Sequence, residues 1–300
     1  MVGPIVLACD EAYAMPLATT LRSLTEANRA WWPLDIVVLA FAFSEATRTR
    51  VAASLPKGSA EINWVAVDLE RFSGFSTLEH VSKVTYARFL IARVLPETTE
   101  RALYLDADLI VLNDFGGLWE TDLDGAAVGA VLDGLDPQLK EDVPALHLVP
   151  RVQNYFNAGV LLIDLQKWRA EDISERALDY LAQHPDTLFS DQDALNVACD
   201  GKWKQLDPRW NFVDFFERVE IATLGAERRP WIVHFAAWDK PWNAKVPNIN
   251  ADFYDGFRSR TRFARTPLAR QRDALQANWT RSKRVLKQYA PVRALLGQIR

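Results

Sequence analysis

The sequence predicts an α/β fold, a mixed and mostly parallel sheet covered by helices, and three observations lead there. Unbroken apolar runs alternate with stretches of helical periodicity from the N-terminus onward. The runs lack polar alternation, which marks strands buried on both faces. Several of them end on an acid, as suits a sheet that binds ligands beyond the carboxyl ends of its strands.

The elements follow in order. Ile5-Val6-Leu7-Ala8, running out into Asp10-Glu11, reads as a buried first strand. Pro16 suits a first helical turn, with Leu17, Leu21 and Leu24 at helical spacing behind it. Leu34 to Phe41 is a second strand, and Ser44 can N-cap the helix that follows. Ile62 to Val67 gives a third strand, and Tyr86 to Leu95 a helix that brings Arg88 and Arg93 into apolar surroundings. Val128 to Leu132 closes on Asp133, and Tyr155 to Asp164 is a strand that opens on Asn157 and Gly159. Glycine inside a strand often marks close approach of a ligand to the backbone. Ser190-Asp191-Gln192-Asp193 opens a helix, with Ser190 as cap, and Trp231 to Phe235 is a strand containing His234. A histidine in such a strand is commonly a satisfied core residue. Asp239-Lys240-Pro241-Trp242 follows, and Lys240 can act as a point charge for phosphate.

Bulk properties bound the function. The 300 residues are 49% hydrophobic, enough for a packed core. From Gly256 to Arg300 there are 12 Lys and Arg against one acid, Asp273, although the whole chain carries a net charge of -4. An acidic body with a basic tail points to an anionic partner for the tail. Two cysteines, Cys9 and Cys199, suit a reducing compartment. The start MVGPIVLACDEAY has no basic leader, and no apolar run reaches the roughly 20 residues that span a bilayer. These features give the expectation of a cytoplasmic protein.

The most informative stretch is Leu103 to Val111, where Asp106 and Asp108 sit inside an apolar run. In a strand the two side chains share a face. Adjacent carboxylates removed from water are costly unless a cation or protons compensate them. Their oxygens suit a hard divalent ion such as magnesium or manganese. A strand running into a solvated turn accounts for the same pair without metal. No G-x-G-x-x-G or Walker A sequence is present, so a bound nucleotide needs metal and side chains to hold its phosphates.

Seven ordered blocks then become legible together. They are VLACDEAYA (6 to 14), HVSKVTYARFLI (80 to 91), ALYLDADLIVL (102 to 112), LWETDL (118 to 123), YFNAGVLLIDLQKW (155 to 168), SDQDALN (190 to 196) and IVHFAAWDKPW (232 to 242). The series resembles glycosyltransferase family 8: retaining, metal-dependent enzymes of GT-A fold that use nucleotide sugars. The nearest likeness is to bacterial lipopolysaccharide galactosyl- and glucosyltransferases. D-x-D alone is weak, whereas D-x-D, FNAGV, DQD and H-x5-KPW in order are specific.

The resemblance implies a GT-A catalytic domain over residues 1–250 and a role for each matching position. Asp106, Asp108 and His234 match ligands of manganese, with magnesium as the alternative. Ala8 and Asp10 match positions lining uracil and ribose, and His80 and Val81 the edge of the nucleotide pocket. Lys240 matches a diphosphate contact, and Ala107 also falls at the donor. Arg88, Asp133, Asn157 and Asp191 match residues around the donor sugar, and Gln192 the residue beside the anomeric carbon. Two departures stand out. Ala12 replaces a usual Asn, and Ala237 replaces a Gly that lets the backbone approach phosphates. The expected effect of the second is weaker binding rather than lost activity.

The implied reaction moves galactose or glucose from a UDP-sugar to an acceptor hydroxyl on a lipopolysaccharide or other glycan, with retention. Gln192 is a poor nucleophile, so front-face attack is the favoured route and Asp191 as nucleophile the alternative. Residues 251–300 form a basic tail in which Val285, Leu286, Tyr289, Val292, Leu295, Leu296 and Ile299 alternate with Lys and Arg. That pattern fits peripheral attachment to anionic lipid at the inner face of the plasma membrane, and no nucleic-acid motif accompanies it. Two other readings compete. A haloacid-dehalogenase-type phosphatase wants its Asp-x-Asp after the first strand, with Thr or Ser shortly after, whereas Leu109 follows here. A non-catalytic nucleotide-sugar-binding protein of the same fold is the other.

Overall fold

The computed structural model describes residues 3–68, 70–75, 82–134, 149–243 and 248–269, with 271, 272 and 275. His80, Val81 and the apolar positions of the tail from Val285 onward lie outside the described residues.

The larger sheet takes β1 (Ile5–Asp10), β2 (Leu34–Phe41), β3 (Ala60–Ala66) and β4 (Arg101–Leu105). After the short β5 (Leu109–Val111) it continues with β6 (Val128–Leu132), β7 (Phe156–Asp164) and β8 (Trp203–Gln205). Their order is β3-β2-β1-β4-β7-β6-β8. β1 to β4 run parallel, β7 is antiparallel to β4 and β6, and β8 is parallel to β6. A smaller sheet joins β5 to β10 (Ile232–His234) and β9 (Phe212–Val213), in the order β5-β10-β9.

The unbroken apolar runs are buried on both faces, as read. In β1 the residues Ile5, Leu7 and Cys9 pack with Leu17, Leu21 and Leu24 of α1 (Ala14–Ala27). Val6 and Ala8 face the opposite side, toward Tyr86, Ala87 and Tyr104. Leu21 is fully buried, so its truncation to Ala costs about 2–5 kcal/mol. β3 is the sheet edge and alternates between half-buried and exposed residues. Ser44 caps α2 (Glu45–Ala52) by accepting from the Thr47 amide.

Register explains where the polar residues gather. Leu105 of β4 pairs with Val160 of β7, and Val131 of β6 pairs with Asn157. Because β7 is antiparallel, its N-terminal end meets the carboxyl ends of β4 and β6. Asp10, Asp106, Asp133 and Asn157 therefore share one edge.

Three local expectations are corrected. Asp106 and Asp108 do not lie in a strand: β4 stops at Leu105 and β5 starts at Leu109 in the other sheet. The Asp106 amide still donates to Gly159 O at 2.9 Å, and the Phe235 amide already donates to Asp108 O at 3.1 Å. The chain thus crosses between sheets at Ala107, and a turn brings the two acids together. The stretch Tyr86 to Leu95 is a 3-10 helix, Lys83–Leu90, followed by α3 (Ile91–Val94). Arg88 is buried, but the Arg93 side chain is 62% exposed beside Glu175. Ser190 does not cap. It is the first residue of α4 (Ser190–Ala198) with φ 45, and the Asp193 carboxylate accepts from the Phe189 amide instead.

Beyond residue 250 the described chain stays on the body. Ala251–Arg258 is helical, with Tyr254 buried edge-on against Phe235 at 5.4 Å between centroids. Among the described residues no helix is long and apolar enough to cross a membrane.

Candidate active site

The turn that carries the two acids is held from below by α1. Thr20 Oγ1 accepts from the Leu109 amide at 3.0 Å and lies 2.9 Å from Ala107 O and 2.8 Å from Leu109 O, to which its hydroxyl donates. Ser23 Oγ accepts from the Val111 amide at 3.0 Å. These hydroxyls look like ordinary helix positions in sequence, yet they satisfy backbone groups that leave the sheet.

His234, at the end of β10, stands over that turn. Its Nε2 is 3.6 Å from Asp106 Oδ2 and 3.4 Å from Asp108 Oδ1. One ligand atom from each of Asp106, Asp108 and His234 lies within 4.8 Å of the other two. Asp108 Oδ1 is buried and accepts no hydrogen bond. An orphaned carboxylate oxygen beside an imidazole nitrogen and a second carboxylate fits a divalent cation, and the mixed oxygen and nitrogen donors suit manganese.

Charges around the cluster are balanced in pairs. Burial pushes the Asp108 carboxyl up, but the Lys240 ammonium holds it well below the usual range. Lys240 Nζ donates to Asp108 Oδ2 and to Phe235 O, each at 2.6 Å. Arg88 spans two carboxylates: Nη2 donates to Asp106 Oδ1 at 2.9 Å, and Nε is 3.1 Å from Asp191 Oδ2. Its Nη1 also donates to Ala158 O at 2.8 Å. Burial disfavours the Arg88 cation, and Asp106 and Asp191 more than restore it. Burial raises the Asp191 carboxyl against the pull of Arg88.

The neighbouring amides are fully committed. Asn157 Nδ2 donates to Asp133 Oδ2 at 2.8 Å, and Gln192 Nε2 reaches the same oxygen at 3.2 Å. Gln192 Oε1 accepts from the Ala158 amide at 3.0 Å. The Tyr155 hydroxyl donates to the Asp193 carboxylate.

Ala8, Asp10, Arg88, Asp106, Ala107, Asp108, Asp133, Asn157, Asp191, Gln192, His234 and Lys240 all line one cavity of about 690 Å³. The site so assembled offers a cation cradle, an ammonium beside it and a ring of polar groups, enough to hold a phosphorylated ligand and a polar ring beside it. The sequence model of the family described as Glycosyl transferase family 8 matches residues 4–246. The chain belongs to that family.

Its relatives range from chains of similar length to much longer ones. General stress protein A of Bacillus subtilis is 29% identical over 273 residues, 86% of this chain and 94% of the relative. The lipopolysaccharide 1,2-glucosyltransferase of Escherichia coli is 24% identical, over 80% of this chain and 72% of the relative. Among solved structures, the galactosyltransferase LgtC in complex with donor and acceptor sugar analogs superposes with a TM-score of 0.74 at 29% identity, over 88% of this chain and 98% of that one. The sheet described above is the GT-A fold of that family 8 structure.

The cavity of this family 8 chain also holds residues that the sequence did not single out. Tyr13 lines it, packed edge-on against Trp242 at 5.9 Å between centroids. Phe215, Phe216 and Trp238 form an aromatic wall, with Trp238 51% exposed. Isolated aromatics in loops and single short helical turns carry no spacing signal, so none of these was readable beforehand. Asn211 was missed as well: it touches His234 and Asn157, and its partner Asn157 lies 54 positions away.

Proposed function

We propose that the chain transfers galactose or glucose from a UDP-sugar to an acceptor hydroxyl with the anomeric configuration retained. The observation that carries this reading is the Asp106, Asp108 and His234 cluster with its orphaned carboxylate oxygen, set in the same cavity as Lys240 and Gln192. Those three residues would hold manganese or magnesium, which when bound supplies positive charge to the departing diphosphate. Lys240 adds a second positive charge beside Asp108. Ala8, Asp10 and Ala107 take the nucleoside side of the donor, and Arg88, Asp133, Asn157 and Asp191 the sugar side.

In the transfer, the bond between the anomeric carbon and the β-phosphate oxygen breaks. The acceptor oxygen bonds to the same face of that carbon, and its proton passes to the departing phosphate oxygen, leaving UDP. The state of Gln192 supports this front-face route: its carbonyl oxygen is engaged by the Ala158 amide, which suits a positioning role better than nucleophilic attack. The Asp191 carboxylate is paired with Arg88, which lowers its nucleophilicity.

The acceptor we propose is a lipopolysaccharide or other glycan, free or lipid-linked, in keeping with the lipopolysaccharide transferase among the relatives. The basic composition after Gly256 supports work at an anionic membrane face, on the cytoplasmic side. The test is a panel of UDP-sugars with manganese or EDTA, following UDP release and the anomeric proton of the product, beside an Asp108→Ala variant. Manganese-dependent release from one hexose donor, an α-linked product from an α-donor and loss in the variant are expected. Release unaffected by EDTA, or an inverted product, would overturn the proposal.

A further inference from the structure

A chain of hydrogen bonds behind the metal cradle settles which nitrogen of His234 carries a proton. The Gly159 amide can only donate, and it lies 2.9 Å from one amide atom of Asn157, which must therefore be Oδ1. Asn211 meets that same oxygen at 2.8 Å, so the Asn211 atom there must be Nδ2. The other Asn211 atom is then Oδ1, an acceptor, and it lies 2.9 Å from His234 Nδ1. His234 Nδ1 must carry the hydrogen that fills this contact, and the lone pair of the neutral ring is left on Nε2. Nε2 is the atom that faces Asp106 and Asp108. His234 and Asn211 are 2% and 3% exposed, so water does not compete for these contacts.

We propose that Asn211 is a positioning residue that presents His234 Nε2 to the cation by holding Nδ1 protonated. This rests on the reading of Asp106, Asp108 and His234 as a metal site. Second partners of a ligating histidine fix its tautomer and ring orientation, and their loss typically lowers metal affinity about 10–100-fold. Asn211 has a further consequence. Through Asn157, whose Nδ2 donates to Asp133, the imidazole is linked by amides to the wall assigned to the donor sugar.

The test begins without metal. Long-range proton–nitrogen correlation spectra of the histidine-labelled full chain at alkaline pH report the tautomer, with the His234 signals assigned by their loss in His234→Gln. Protonated Nδ1 is expected in the native protein; protonated Nε2 would overturn the proposal. Titration of Mn2+ in the presence of UDP then compares two variants whose folding is checked by thermal melting. Asn211→Leu removes the acceptor and is expected to scramble the tautomer and weaken Mn2+ binding roughly 10–100-fold. Asn211→Asp still accepts from Nδ1 but loses the donor to Asn157 Oδ1, so it should keep the tautomer and lose less affinity than Asn211→Leu. Native affinity in a folded Asn211→Leu protein, or equal losses in both variants, would count against the role. If the native chain shows protonated Nδ1 yet binds no Mn2+, the metal reading itself fails, and the proposal with it.

Discussion

Gly159 lies directly against His234: a Cβ at position 159 would stand 2.7 Å from His234 Nδ1 and 2.9 Å from Asp106 Oδ2, and closer still to the ring carbon between the two nitrogens. Glycine is needed there to admit the imidazole, not to relax the backbone. Gly159→Ala is expected to push the ring away from Asp106 and Asp108. Overpacking of this kind costs about 1–3 kcal/mol. Urea unfolding and Mn2+ titration of the variant check both effects, and unchanged values in both would show that the ring has room to retreat.

Thr20 offers a test of the turn rather than of the ligands. Thr20→Val keeps the shape but leaves the buried Leu109 amide without its acceptor. The expected loss is about 1–3 kcal/mol of stability, since a buried donor is left unpaired. Metal affinity should fall with it, because the turn fixes the spacing of Asp106 and Asp108. A variant that is less stable but binds metal normally would confine Thr20 to a structural role.

These two residues show how far the sequence could be read. The first two strands, α1 and the Ser44 cap were legible because each rests on local periodicity or a local hydrogen bond. Asp106, Asp108 and His234 stood out because carboxylates in an apolar run and an ordered series of motifs are uncommon by chance. The turn at Ala107 was not legible, since an apolar run looks the same whether it continues in one sheet or passes into another. The backing by Thr20, Ser23 and Asn211 depends on contacts across 23 to 89 positions, which leave no periodic trace. Gly159 was read as a point of close approach, which holds, but the group that approaches is the His234 ring rather than a ligand.

Arg88 separates stability from metal binding. Arg88→Met leaves Asp106 and Asp191 without their shared cation. Removing one partner of a buried ion pair costs about 3–5 kcal/mol. The added negative charge should at the same time tighten Mn2+ binding. Melting temperatures with and without Mn2+ are the readout: a lower value in EDTA, with a larger rise on adding Mn2+ than the native chain shows, is expected. A smaller rise would mean that Arg88 is needed to orient Asp106 for the ion.

Asp193 carries the pH prediction. Burial raises its carboxyl, against hydrogen bonds from Thr187, Tyr155 and the Phe189 amide. A carboxyl whose native pKa lies above the unfolded value of about 3.9 takes up its proton first in the native state. Its contribution is therefore least favourable at neutral pH and improves as pH falls through the native value, levelling off once the unfolded chain is protonated too. Asp193→Asn removes the titration. Acidification from neutral toward pH ~4 should thus stabilise the native chain relative to the variant. A stability difference that does not change with pH would contradict it.

The most direct test is titration of Mn2+ into the full chain with UDP present, the free ion being followed by its paramagnetic resonance signal. Binding of one ion per chain is expected, and in Asp108→Asn both that binding and UDP-hexose turnover should be lost while the protein stays folded. Native affinity for Mn2+ in the folded Asp108→Asn chain would contradict the assignment of Asp106, Asp108 and His234 as the site around which the transfer is organised.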